Sequence, residues 1–150
     1  MIIQLLHSSQ WCYKKHINFM GRFFEKCISF FCGADISGKA RIDKHVLLPH
    51  RGIGVIIHPD AEIGEGCIIS AKATIGNAWP HPGAPKLGKH VYVGTGAFVG
   101  GGISIADYVV IGAGSVLTKD VKEEGAIVAG VPARIIRYIN ESEKKEMSSW

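Results

Sequence analysis

From Ile57 to Leu117 an aliphatic residue returns every six positions along the chain. Ile57, Ile63, Ile69 and Ile75 set the beat, and Leu87, Val93, Val99, Ile105, Ile111 and Leu117 resume it after twelve residues. Glycine often follows, at Gly64, Gly76, Gly88, Gly94, Gly100 and Gly112. Two positions before the aliphatic stands a small or β-branched residue, as at Ala61, Cys67, Ala73, Val91, Ala97, Val109 and Ser115. Neither a helix nor a simple alternating strand has period six. The pattern predicts short strands joined by tight turns, with two inward side chains per strand and glycine relieving the corners. Three such strands close one triangular coil of about eighteen residues, and stacked coils share one core. Chance alignment is a poor explanation, because three positions of the hexad are biased together.

Before Ile57 the beat continues, after a three-residue slip, through Leu48, Ile42 and Ile36. The inward aliphatics therefore line about four to five coils. Burying each is worth roughly 1.5–3 kcal/mol before entropy is charged against it. Two stretches interrupt the hexad. Pro49-His50-Arg51-Gly52-Ile53-Gly54 is the first bulging loop, and Gly76 to Lys86 is the second, with Pro80, Pro82 and Pro85 forbidding a central strand.

Ahead of the coils, residues 2 to 31 read as one or two helices. Ile17, Met20, Phe23, Phe24, Cys27 and Phe31 keep helical spacing, while Lys14, Lys15, Arg22 and Lys26 lie mostly on the other face. A helix here caps the open solenoid end, which otherwise exposes apolar core and unpaired strand edge, and contacts neighbouring subunits. The alternative is an interfacial helix in peripheral contact with the inner membrane. Gly33 ends the helix. At the other end, residues from 132 to about 146 read as a pivot and a final helix, with 141–150 frayed.

At this point the chain resembles the hexapeptide-repeat acyltransferases, in particular their serine acetyltransferase-like branch, closest to O-acetyltransferases of polysaccharide biosynthesis. The resemblance covers about Gly33 to Arg137. It rests on the repeat, on Asp35-Ile36 leading to His50, on Ile57-His58-Pro59, on Ile111-Gly112-Ala113-Gly114-Ser115-Val116, and on Ala129-Gly130-Val131-Pro132-Ala133-Arg134. It implies an all-β fold, a left-handed parallel β-helix with an N-terminal helical cap and a short C-terminal helix. The boundaries are 1–32 for the helical segment, 33–131 for the acyltransferase domain and 132–150 for the C-terminal helix and tail. The left hand is implied by the resemblance alone, since parallel crossovers are otherwise nearly always right-handed.

The family's chemistry is acetyl transfer from acetyl-CoA to a hydroxyl. A free alcohol is a weak nucleophile at neutral pH, so a base must take its proton. Histidine, with a pKa of about 6.5, suits the role when a carboxylate fixes its tautomer and stabilises the imidazolium. The resemblance gives these parts to His50 and Asp35, fifteen residues apart. It also implies a CoA arm held by backbone at small residues, here Thr95 and Gly96, with Ala113 and Gly114 one coil on. Lys119 and Arg134 are candidate phosphate partners. Trp79 and His81, in the proline-rich loop, are candidate acceptor contacts. His58 reads as structural and His90 as solvated. A groove between parallel prisms holds CoA better than one flat face, which implies a homotrimer.

Two departures from the serine enzymes bear on the acceptor. Where the serine enzymes place Asp before the catalytic histidine, this chain has Pro49; where they place Arg-His before Pro-Lys, it has Gly83-Ala84. Losing the charge partners of an amino acid costs several kcal/mol of discrimination. The sequence thus points to a sugar hydroxyl of a surface polysaccharide, with L-serine, the acceptor in cysteine biosynthesis, as the alternative. A second alternative is a γ-carbonic anhydrase-like zinc protein, because His45 and His50 have a matching spacing. That family takes its third ligand from a histidine about two coils upstream, and upstream of His45 lie only His7 and His16, both in the predicted helix. A non-catalytic structural trimer is a third. No metal is expected.

Composition narrows the rest. The 150 residues fit one domain, and 47% hydrophobic with 20% charged residues is globular. The net charge of +4 is spread out, with no basic and aromatic cluster for nucleic acid. Cys12, Cys27, Cys32 and Cys67 form no metal-ligand spacing and read as buried thiols of a reducing compartment. With no signal-peptide pattern and no membrane-spanning stretch, a cytoplasmic location is expected.

Overall fold

The computed structural model describes residues 1–149. A helical hairpin opens the chain: α1 (Ile2–Lys14) and α2 (Asn18–Cys32). Gly33 closes α2 in the left-handed conformation, its N–H bonded to the Ser29 carbonyl at 3.0 Å, as the sequence predicts. Ile2, Leu6, Ile28 and Cys32 are buried and join the core of the coils, so the hairpin does cap the first turn. Gly21 allows the two helices to close, because a Cβ there would lie 2.8 Å from the Tyr13 ring.

The coils form a parallel β-solenoid with three faces. Asp35–Ile36, Ile56–Ile57, Thr74–Gly76, Phe98–Gly100 and Val116–Leu117 stack on the first face. Arg41–Ile42, Glu62–Ile63, Lys86–Leu87 and Ser104–Ile105 make the second. Ile68–Ile69, Tyr92–Val93, Val110–Ile111 and Ala126–Gly130 make the third. Register places the hexad aliphatics on one another: Ile36, Ile57, Ile75, Val99 and Leu117 form one column. Ile42, Ile63, Leu87 and Ile105 form the next. The small residues two positions earlier are also inside, Ala61, Cys67, Ala73, Val91 and Val109 having no exposure at all. Small or branched shape is needed there because the turn leaves little room beside the stacked aliphatics.

The C-terminal end departs from expectation. Ala133–Tyr138 is a strand, paired antiparallel with Ala126–Gly130, rather than a pivot into a helix. It covers the edge that the last parallel strand would otherwise expose. Nor is the stretch after 141 frayed throughout. In α3 (Glu141–Met147) the Asn140 side chain accepts from the Glu143 N–H, and the Glu143 side chain accepts from the Asn140 N–H. Arg137 grips the same Glu143 with two hydrogen bonds, and Met147 is buried. Trp150, placed in the frayed tail by the sequence, lies outside the described residues. His90 is another correction. It is half-buried and stacks on Tyr108, one coil on, with ring centroids 4.9 Å apart.

Candidate active site

His50 lies in a tight turn, Pro49–Gly52, between the first and second coils. Buried Leu48 and Gly52 anchor its ends, while His50 and Arg51 are exposed. Both have left-handed backbones, at φ 53° and 58°, a conformation that ordinary side chains adopt at a cost. Asp35 opens the first face, with its N–H on the Val55 carbonyl at 2.9 Å and its side chain exposed. The two candidate catalytic residues therefore flank the same short stretch of backbone. Among the described residues, no hydrogen bond or ion pair joins their side chains. The dyad expected from the spacing is brought to one edge but is not closed within this single chain.

That edge continues through the solenoid. Its corner residues bond upward in turn: Gly54 N–H to Gly33 O at 2.8 Å, Lys72 N–H to Ile53 O at 2.9 Å, Gly96 N–H to Ala71 O at 3.0 Å, and Gly114 N–H to Thr95 O at 2.9 Å. Thr95, Gly96, Ala113 and Gly114 are thus exposed on the same corner as the His50 turn, on later coils. Gly96 and Gly114 have φ of 69° and 65°, and a Cβ added at either would meet nothing within 4 Å. Their backbone is open to an approaching chain such as pantetheine. Near the last coil, Lys119 and Arg134 line one cleft of about 260 Å³ with Pro132 between them.

Trp79 and His81 are elsewhere. The Gly76-to-Lys86 loop leaves the far end of the first-face strands, whereas the His50 corner leads into them. It lies flat on Gly100–Gly102, where a Cβ on Gly83 would sit 2.9 Å from the Gly102 Cα. His81 shares a groove of about 680 Å³ with Ile103, Thr118 and Lys119. The Trp79 ring is 95% exposed and lines none of these clefts. Within one chain the first face separates this loop from His50.

The outer surfaces of the faces differ. On the second face Glu62 bonds to Arg41 and, at 2.9 Å, to Lys86. The Lys86 hydrogen bond, with Arg41 behind it, holds the Glu62 carboxyl below its ordinary range. The first and third faces instead present Ile56, Phe98 and Val116, and Leu47, Ile68 and Val110. Burial pushes the Cys67 thiol up to about 12, which leaves it unreactive. His45 sits 3.4 Å from Asp43 and 3.6 Å from Glu65, but among the described residues no three His, Cys, Asp or Glu side chains are grouped to hold a metal ion.

Sequence reasoning passed over Arg51. Among the described residues its side chain has no hydrogen bond or ion pair, and it neighbours the candidate base. Its signal was available as a cation inside a hexad break.

Comparison with known proteins places the chain. The family profile described as bacterial transferase hexapeptide (six repeats) matches residues 84–119. The serine acetyltransferase of Helicobacter pylori is 33% identical over 126 residues, spanning 83% of this chain and 72% of that protein. The chain belongs to the serine acetyltransferase family. The serine acetyltransferase of Synechococcus elongatus is 34% identical over 130 residues, 85% of this chain and 52% of that protein. A crystal structure of the Brucella abortus serine acetyltransferase in complex with coenzyme A superposes with a TM-score of 0.86 at 30% identity, covering 92% of this chain and 55% of that one. The chain spans about half the length of these last two relatives. The family membership overturns the sugar acceptor and polysaccharide role expected from sequence. That expectation rested on missing contacts at Pro49, Gly83 and Ala84, and a missing contact names no replacement ligand. Trp79, its one positive feature, stacks on no ring among the described residues and is almost wholly exposed.

Proposed function

We propose that this serine acetyltransferase family member transfers an acetyl group from acetyl-CoA to the hydroxyl of L-serine. The observation that carries the reading is the run of similarity to serine acetyltransferases across the coils, which includes the Asp35–His50 stretch and both glycine corners. His50 takes the hydroxyl proton as the serine oxygen attacks the thioester carbonyl carbon. The tetrahedral intermediate then expels the CoA thiolate, which recovers that proton from the imidazolium. Asp35 orients the imidazole once the His50 turn moves onto it. Thr95, Gly96, Ala113 and Gly114 give pantetheine a bare backbone edge, and Lys119 and Arg134 take CoA phosphates. Arg51 supplies a cation for the serine carboxylate, the role left open at Gly83-Ala84.

The acting species is a homotrimer in this reading. The apolar outer surfaces of the first and third faces suit prism-to-prism packing, while the ion-paired second face suits solvent. Three-fold packing of that kind also lets the Trp79–His81 loop of one subunit face the His50 corner of the next, across the groove that would hold CoA. The test is incubation of the purified protein with acetyl-CoA and L-serine, followed by mass spectrometry for O-acetylserine. Product formation that depends on serine supports the assignment. CoA release that ignores serine, or none at all, rejects it.

A further inference from the structure

The N-terminal hairpin leaves an aromatic face uncovered. Helix α2 turns Gly21, Ile28 and Cys32 toward the protein. Phe19, Phe23 and Phe30 fall on a separate stripe at helical spacing and are 80%, 52% and 82% exposed. Exposed Trp11 of α1 and Ile17 of the connecting turn extend the apolar surface. Between the helices runs an open groove of about 600 Å³ with walls of Trp11, Ile17, Met20 and Phe24. Rings this large are seldom left in water on a stable helix without a surface to meet.

Charge selects the surface. Lys14, Lys15, Arg22 and Lys26 are exposed on the same hairpin. Residues 1–32 contain a single carboxylate, Glu25. It is already engaged, accepting from the Tyr13 hydroxyl at 3.1 Å, the Ser37 hydroxyl at 3.1 Å and the Gly38 N–H at 2.8 Å. Two copies packed stripe to stripe would bring Arg22 and Lys26 against their own kind, with no free carboxylate to pair them. An anionic lipid surface answers both features, taking the rings at the acyl boundary and the cations at its phosphates. Among the described residues no helix is long and apolar enough to cross a membrane, so the hairpin lies on the surface.

We propose that the α1–α2 hairpin is a docking surface for bilayers containing anionic phospholipid, with Phe19, Phe23 and Phe30 as its anchors. The inference stands on the hairpin alone and does not depend on the acceptor. The test is co-sedimentation of the full chain with phosphatidylcholine vesicles, with and without phosphatidylglycerol. Binding should be at least about tenfold stronger to the phosphatidylglycerol vesicles and should weaken as salt rises. The Phe19→Ser/Phe30→Ser double variant should lose about tenfold or more of that binding with an unchanged melting temperature. Arg22→Gln/Lys26→Gln should weaken binding and flatten its salt dependence. The proposal is overturned if the native chain ignores anionic vesicles, binds both lipids equally, or is unaffected by the serine variants. It is also overturned if those variants instead lower the oligomer mass in sedimentation velocity, which would make the stripe a contact between copies.

Discussion

The regular corners of the solenoid and the Pro49–Gly52 turn both hold residues in the left-handed conformation, but they do so differently. Lys72, His90 and Tyr108 each occupy a corner, and each N–H bonds to the coil before it, at 2.9, 2.8 and 2.8 Å. The sheet on either side fixes them. His50 and Arg51 are consecutive, and among the described residues no backbone hydrogen bond ties the Pro49–Gly52 turn to another coil; it closes locally, Ile53 N–H to His50 O at 3.4 Å and Val55 N–H to Gly52 O at 2.9 Å. Conformational cost is thus spread evenly through the scaffold and concentrated once, beside the candidate base. A repeated strain is a building rule of the fold; an isolated one marks a place where position matters more than stability.

Breaking the scaffold side of this comparison gives the largest effect. Ile75 has no exposure and stacks between Ile57 and Val99. Ile75→Ala should cost about 2–5 kcal/mol in denaturant unfolding, because neighbouring coils hold the cavity open. A loss below about 1 kcal/mol would mean the column is not a shared core.

Next comes the loop that lies on Gly100–Gly102. Gly83 has φ of 114°, and its missing Cβ is what permits the contact with Gly102. Gly83→Ala should cost about 1–3 kcal/mol and raise proteolytic cleavage within the loop while the coils stay intact. Unchanged cleavage would detach the loop from the scaffold.

The scaffold was legible in the sequence because one requirement repeats. Each hexad must fill the same space, so the inward phase could be read from Ile36 to Leu117 without any long-range information. The C-terminal strand was not legible in the same way. Ile135 and Ile136 break the hexad, and pairing with Ala126–Gly130 is a tertiary choice. The capping box at Asn140 and Glu143 was readable and was passed over. At the site, the fifteen-residue spacing of Asp35 and His50, nearly one coil, could be read from the sequence, while a contact between their side chains could not. The acceptor was misread because the reading rested on loops outside the repeat, where no spacing rule applies. The altered positions Pro49, Gly83 and Ala84 say what was lost and nothing of what replaces it.

Arg51 sharpens the turn side of the comparison. Arg51→Ala should raise KM for L-serine by about tenfold and leave kcat within about twofold, the pattern of a lost ground-state contact. Equal falls in kcat and kcat/KM would make it part of the strained turn instead.

The smallest effect belongs to the C-terminal clasp. Hydrogen bonding from Arg137, then from the Asn140 N–H, holds the Glu143 carboxyl down to about 2 from an ordinary 4.5. A depressed folded value means the clasp stabilises fully above about 4.5 and fades as pH falls toward about 2. Protection of the α3 amides, measured against intrinsic exchange at each pH, should therefore fall across that window, and Glu143→Gln should show the lowered protection at neutral pH. Both partners face solvent, so global stability should hardly move.

In the proposed mechanism His50, raised on its strained turn, is the base for acetyl transfer while the glycine corner holds the donor independently. The direct measurement is steady-state turnover of His50→Ala with acetyl-CoA and L-serine, beside the CoA dissociation constant of the same variant by calorimetry. Turnover should fall by roughly two to four orders of magnitude with CoA affinity unchanged within about twofold. Native turnover in the variant, or loss of CoA binding in parallel with rate, would contradict the claim.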